Sequence, residues 1–74
     1  MSSMRWSTER YDQLEAAARH GRRVALERRG AEFVVTAIAV RTEGSREYLI
    51  GQLPMTGEES RFALDELDDF QVIE

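Results

Sequence analysis

Residues 47–73 read EYLIGQLPMTGEESRFALDELDDFQVI, and this stretch decides the fold. Short apolar runs are separated by a Pro/Gly segment and by an acidic segment. This pattern predicts a strand, a loop, a second strand, one helical turn and a last strand. We expect the strands at 48–53, 61–64 and 70–73, with the helical turn at 65–67. A short chain that ends in this way is typical of a small and strongly bent β-barrel.

The residues before this stretch predict one helix and two further strands. Ser7 can cap a helix from about Thr8 to His20, and Gly21 is a typical left-handed terminator. The first strand is expected at 23–27 and a central strand at 33–40, where the run is almost wholly apolar. The expected fold is mainly β with one N-terminal helix, a small Sm-like or SH3-type five-stranded barrel. An open antiparallel sheet with the helix packed on one face is the alternative.

Two further features of the pattern bear on packing. An apolar stripe on the helix is narrow and would dock it on a sheet; its members are Tyr11, Leu14, Ala17 and Ala18. Gly51 interrupts the third predicted strand, which indicates either a β-bulge or the close approach of another chain segment.

The length of 74 residues allows one domain. We expect a flexible N-terminal tail at residues 1–6 and a single helix-plus-barrel domain at residues 7–74. Cysteine is absent, which excludes disulfides, thiolate metal sites and cysteine nucleophiles. A small domain without disulfides favours a cytoplasmic location. No apolar run approaches the roughly 20 residues that a membrane-spanning helix needs.

The charge is unevenly distributed along the chain. All ten basic residues are arginine, and the formal net charge is -4. Residues 1–30 contain seven arginines against four acidic residues, whereas residues 31–74 contain three arginines against ten. An acidic protein does not suit non-specific phosphate binding, which depends on positive charge. It suits a protein partner with a basic surface.

Residues that usually carry catalysis are sparse and isolated. His20, the sole histidine, falls at a predicted helix end, where an imidazole interacts favourably with the helix dipole. Ser45 and Ser60 have no neighbouring base, and the glycines form no phosphate-binding loop. We therefore expect neither catalysis, nor a cofactor, nor a metal site. The acidic segments Glu58-Glu59 and 65–69 are either a solvated rim or a docking surface for a basic partner. Salt bridges between the basic and acidic halves of the chain are a further interpretation.

Arginines near the first predicted strand give an alternative function. Beside exposed aromatic rings, such residues could bind RNA or single-stranded DNA with a strong dependence on salt. The candidate arginines are Arg22, Arg23, Arg28 and Arg29. The aromatic residues, which could instead belong to the core, are Phe33, Tyr48, Phe62 and Phe70.

Several short motifs, in order along the chain, resemble the Rho-binding antiterminator (Rof-like) family. Residues 11–20, YDQLEAAARH, are similar to its tyrosine-aspartate-x-leucine-glutamate helix, and Leu26-Glu27 is similar to its first-strand motif. Glu47-Tyr48-Leu49 resembles its third strand. The residues that resemble its closing segment are Gly57-Glu58, Leu64-Asp65 and Phe70.

This resemblance implies a small acidic Sm-like barrel with an N-terminal helix and no catalytic activity. It implies binding to the primary RNA-binding site of the termination factor Rho, and so regulation of bacterial transcription by antitermination. The implied contact residues are Asp12, Glu15, Glu47 and Glu58. We expect Tyr11 to be a partly buried anchor beside them, and the protein to be a monomer or a small homo-oligomer.

The closing half is also similar to the WYL domain, another Sm-like barrel of bacterial regulators. Glu47-Tyr48-Leu49 stands where that family has tryptophan-tyrosine-leucine. Residues 62–67 stand where it has phenylalanine-arginine-leucine-aspartate-arginine-isoleucine. Ala63 and Glu66 replace the two arginines that would contact a nucleotide or nucleic acid. The alternatives are thus nucleic-acid or nucleotide binding and, because exposed strand edges can pair, an oligomerising structural protein.

Overall fold

The computed structural model describes residues 6–73, and it contains one helix and five strands. Most of the predicted tail, residues 1–5, lies outside the described residues, as does Glu74. The elements are α1 (Thr8–Arg19), β1 (Arg23–Arg28), β2 (Ala31–Glu43), β3 (Arg46–Gln52), β4 (Glu59–Ala63), a 3-10 turn (Leu64–Glu66) and β5 (Asp69–Val72).

The five strands form one antiparallel sheet in the order β4-β3-β2-β1-β5. Its two edges, β4 and β5, do not pair with each other within residues 6–73, so the sheet is open. The prediction of a mainly β fold with one helix is confirmed. The open antiparallel sheet, which was the alternative to a barrel, describes this arrangement.

The sheet is nevertheless strongly curled. Four inter-strand spacings of about 4.8 Å would separate the edges of a flat sheet by roughly 19 Å. Residues 64–68 alone connect β4 to β5, and three of them form the 3-10 turn. Because a 3-10 turn rises only about 2 Å per residue, this connection spans at most about 16 Å. The two edges must therefore approach each other.

A bulge in the long central strand β2 contributes to this curl. The pairing with β3 shifts between Ala37 and Ala39, which leaves Ile38 as the extra residue. Gly51 pairs with Ala37, and a Cβ on Gly51 would lie 2.8 Å from Val35 Cγ2. Of the two expectations for Gly51, the close approach is the one observed, and the bulge lies in the strand opposite.

Helix α1 begins and ends as its sequence predicts. The Ser7 side chain accepts a hydrogen bond from the Arg10 backbone N–H, and Gly21 has a φ of 63°. The predicted stripe faces inward, with Leu14, Ala17 and Ala18 buried and Tyr11 half-buried. The helix therefore packs its apolar side against the sheet, mainly against β2.

The core lies between the helix and the inner face of the sheet. It includes two of the aromatic residues that the sequence left open, Phe62 and Phe70, and Phe33 packs against it from a half-buried position. Tyr48 is also half-buried but stands outside this core. No helix within residues 6–73 has the length and apolar character needed to cross a membrane.

The hairpin between β1 and β2 has a two-residue loop. Both Arg29 and Gly30 have positive φ, at 54° and 80°, which is the pattern of a type I′ turn. A left-handed conformation is unusual for arginine. The Arg29 backbone N–H donates to Asp68 Oδ2 at 2.8 Å, and this bond ties the loop to the segment before β5.

Candidate functional site

Four of the five predicted contact residues lie close together in space. The Tyr11 phenol donates a hydrogen bond to Glu47 Oε2 at 2.9 Å, which joins the second turn of α1 to the start of β3. Asp12 follows Tyr11 on the helix, and Glu15 lies one turn further along. We call these four residues the acidic helix surface.

The pKa of Tyr11 reports how these groups act on one another. Partial burial of the phenol, together with the hydrogen bond to Glu47 and its charge, raises the pKa of Tyr11 to about 12. The charges of Glu15 and Asp12 raise it further. All three carboxylates thus act on the same phenol, which stays protonated at neutral pH and keeps donating to Glu47. The surface carries a concentrated negative charge.

The N-terminal end of α1 is fixed by contacts with residues 64–70. The Trp6 indole N–H donates to the Leu64 carbonyl at 3.2 Å, and its ring lies 4.8 Å from that of Phe70. The Arg10 guanidinium donates to Asp69 Oδ1 at 2.6 Å and to the Phe70 carbonyl at 2.7 Å. These contacts hold the acidic helix surface in a defined position relative to the sheet.

Glu58, the fifth predicted contact residue, lies elsewhere. It belongs to the β3–β4 loop, beyond the far end of β3 from Glu47. The six residues from Glu47 to Gln52 span roughly 16 Å of extended strand. In the same loop Met55 is 92% exposed. Any partner that touches Glu58 and the acidic helix surface together must therefore cover most of the length of β3.

The four candidate arginines form two pairs. Arg22 and Arg23 precede and begin β1, whereas Arg28 and Arg29 end it and enter the hairpin loop. Four residues of strand lie between the two pairs, so Arg23 and Arg28 are roughly 16 Å apart. The Arg28 guanidinium also lies 5.2 Å from the Phe33 ring centroid, so its charge is already engaged by an aromatic ring.

A charged cluster that sequence reasoning missed surrounds Tyr48. The guanidinium carbons of Arg61 and Arg46 lie 4.8 Å and 5.7 Å from the Tyr48 ring centroid. Both arginines are also ion-paired, at 2.8–3.5 Å: Arg46 with Asp65 and Glu66, and Arg61 with Glu43. The bond to Asp65 and its charge raise the pKa of Arg46. We call these residues the Tyr48 cluster.

The acidic segment 65–69 is largely occupied by contacts within the protein. Asp65 and Glu66 pair with Arg46, as described above, and Asp68 accepts from the Arg29 backbone. Asp69 pairs with Arg10 at 2.6 Å. These bonds link the segment to α1, β3 and the first hairpin. The pair of Asp69 with Arg10 is a salt bridge between the acidic and the basic half of the chain, which is one of the interpretations that the sequence left open.

A second group of carboxylates lies on the outer face of the sheet. Glu27 is directly opposite both Glu32 on β2 and Asp69 on β5. Like charges opposite each other on neighbouring strands destabilise a sheet. The cleft beside them has a volume of only about 50 Å³. These residues supply charge-matched control positions for the experiments below.

His20 is the exposed C-cap residue of α1. Within the part of the chain that the structure describes, no group of three or more His, Asp or Glu side chains is placed to hold a metal ion. No protein-family model and no curated protein matches this chain. The resemblances to the Rof-like and WYL families therefore rest on the sequence motifs alone.

Proposed function

We propose that this protein is a small, non-catalytic regulatory module that docks its acidic helix surface on a basic site of a partner protein. The observation that carries the proposal is the convergence of Tyr11, Asp12, Glu15 and Glu47 from two separate elements. Charge complementarity of this kind speeds encounter and suppresses wrong partners. The module needs no cofactor for such a role.

The termination factor Rho is the partner that the motif resemblance favours. An RNA-binding site is positively charged because it must neutralise phosphates, and an acidic protein surface can occupy the same site. Binding there would block RNA and act as antitermination in the cytoplasm. The protein would act as a monomer or a small homo-oligomer.

We also infer that the curled sheet is an incompletely closed barrel of the Sm-like or SH3 type. Three features support this inference: the strand order, the bent central strand β2, and the short connection between the two edge strands. Such a sheet leaves the helix across one end, where its acidic side faces solvent.

The test is a titration of purified Rho with the wild-type protein and with the double variant Asp12→Arg/Glu15→Arg. We expect wild-type binding to weaken as salt is raised from 50 to 300 mM, because salt screens exposed charges. The double reversal should weaken binding by at least about 100-fold, since each reversal replaces attraction by repulsion. Isothermal titration calorimetry gives both affinities.

The matched control is Glu27→Arg/Glu32→Arg, which makes the same charge change on the outer face of the sheet. We expect it to bind Rho within a few-fold of wild type. If wild type does not bind, or if both double variants lose binding equally, the proposal is wrong. The nucleic-acid alternative predicts instead a gel shift of RNA at low salt that depends on Arg22, Arg23, Arg28 and Arg29.

A further inference from the structure

A groove of about 550 Å³ adjoins the acidic helix surface. It lies between the start of α1, the hairpin of β2 and β3, and the 3-10 turn. The lining residues that matter here are Trp6, Tyr11, Arg46, Glu47, Leu64 and Asp65. Its volume falls within the range of about 300–1,000 Å³ that is usual for ligand-binding clefts.

The charges of this groove favour a cation. Arg46 is its one charged donor among the described residues that line it, and Asp65 already binds that guanidinium at 2.8 Å. Glu47 accepts from the Tyr11 phenol, which is neutral, and has no ion-pair partner among residues 6–73. The Glu47 carboxylate therefore keeps an uncompensated charge at the wall of the groove.

The groove also has aromatic walls. Trp6 and Tyr11 are both half-buried, so each ring contributes apolar surface while part of it remains accessible. Trp6 is held by its hydrogen bond to the Leu64 carbonyl and by its packing on Phe70, and the Arg10 guanidinium already lies 5.6 Å from its ring centroid. Cations are attracted to the faces of such rings, most strongly to that of tryptophan. The aromatic walls and the free Glu47 carboxylate thus both favour a cationic occupant.

We propose that this groove receives one arginine side chain of the partner protein. A guanidinium is planar, so it can stack on Tyr11 while it donates two parallel hydrogen bonds to Glu47. A lysine ammonium cannot do both, because its charge is a compact point. This inference rests on the proposed function, in that it names the partner group that the acidic helix surface would recognise.

The experiment uses Trp6, the sole tryptophan of the chain, as its reporter. The protein is titrated with the tripeptide acetyl-Gly-Arg-Gly-amide while the Trp6 fluorescence is followed. Acetyl-Gly-citrulline-Gly-amide, which has the same shape without the charge, is the ligand control. Acetyl-Gly-Lys-Gly-amide tests the preference for a guanidinium. We expect a saturable change with the arginine peptide, at least tenfold weaker binding of the citrulline peptide, and several-fold weaker binding of the lysine peptide.

Glu47→Gln should weaken binding of the arginine peptide about tenfold. Glu32→Gln, which removes the same charge from the outer face of the sheet, should leave it unchanged. Circular dichroism and a thermal melt establish that each variant is folded. Equal binding of the arginine and citrulline peptides, no saturable change, or unchanged binding by Glu47→Gln would overturn the proposal. Equal binding of the lysine peptide would overturn the choice of arginine.

These outcomes are separable from the test of the proposed function. Binding of Rho without binding of the arginine peptide would overturn the arginine groove and leave the docking of the acidic helix surface intact. Binding of the peptide without binding of Rho would leave the groove intact and remove Rho as the partner.

Discussion

Tyr11 and Tyr48 each lie among charged side chains, but their surroundings differ in how charge is balanced. In the Tyr48 cluster, Arg46 and Arg61 form ion pairs with nearby carboxylates. Around Tyr11 the carboxylates face a neutral phenol, so their charge remains available. A cluster in which arginines and carboxylates neutralise each other stabilises the fold, whereas a surface with unpaired carboxylates can bind a partner.

Trp6→Ala should have the largest effect on stability. The variant loses the packing of the indole on Phe70 and the hydrogen bond to Leu64. Because Trp6 is half-buried, we expect a loss of about 2–3 kcal/mol, below the range for a fully buried tryptophan. Urea unfolding measures it. Trp6→Phe, which keeps a ring, should lose less than half as much; equal losses would show that the ring packing contributes little.

Tyr48→Ala should destabilise the protein by about 1–2 kcal/mol, because the ring beneath two guanidinium groups is lost. Its affinity for Rho should stay within twofold of wild type. Tyr11→Phe should behave in the opposite way, with a loss of stability at the low end of about 0.5–1.5 kcal/mol, because the lost hydrogen bond is exposed, and with weaker binding. Denaturation measures the stability of both variants, and calorimetry measures their affinity for Rho. A large loss of Rho affinity in Tyr48→Ala would contradict the assignment of binding to the acidic helix surface.

The ion pair between Arg61 and Glu43, at 2.9 Å, should contribute about 0.2–1 kcal/mol, because both side chains are about half exposed. A double-mutant cycle with Arg61→Met and Glu43→Gln measures the coupling. The coupling should fall in 0.5 M salt, since exposed pairs are screened. If no coupling is measured at low salt, water screens the charges of Arg61 and Glu43, and this ion pair does not stabilise the Tyr48 cluster.

Alkaline pH should also destabilise the protein through Tyr11. Tyr11 has a pKa of about 12 in the folded protein against 10.0 for an ordinary tyrosine. The unfolded chain therefore loses this proton first, so the contribution to stability is complete below pH 10 and is lost between pH 10 and 12. Unfolding at pH 8 and pH 11 should show a smaller loss in Tyr11→Phe than in wild type. Equal losses would mean that neither burial nor Glu47 raises the pKa of Tyr11 in the folded protein.

Much of the fold follows from local sequence. The cap at Ser7, the terminator at Gly21 and the turn at Arg29-Gly30 each act within a few residues, so the elements they bound were predictable. The ends of the strands were harder to predict. β2 runs from Ala31 to Glu43, beyond its predicted range of 33–40, because its ends pair with the neighbouring strands of its two hairpins. β4 begins at Glu59 for the same reason.

The candidate site could be predicted only in part. Asp12 and Glu15 follow Tyr11 within about one helical turn, so their proximity is local. The hydrogen bond from Tyr11 to Glu47 spans 36 residues. It depends on where the hairpin of β2 and β3 lies against the helix, which no local pattern encodes. The Tyr48 cluster was missed for a related reason, because Arg61 comes near Tyr48 only through the pairing of β3 with β4.

We expect the acidic helix surface, and not the net negative charge of the protein as a whole, to determine binding of the partner. Glu47→Gln and Glu43→Gln test it most directly, because both remove one exposed carboxylate from the same hairpin. Calorimetric titration of purified Rho should show binding at least about tenfold weaker for Glu47→Gln and within twofold of wild type for Glu43→Gln. Equal affinities for the two variants would contradict the account.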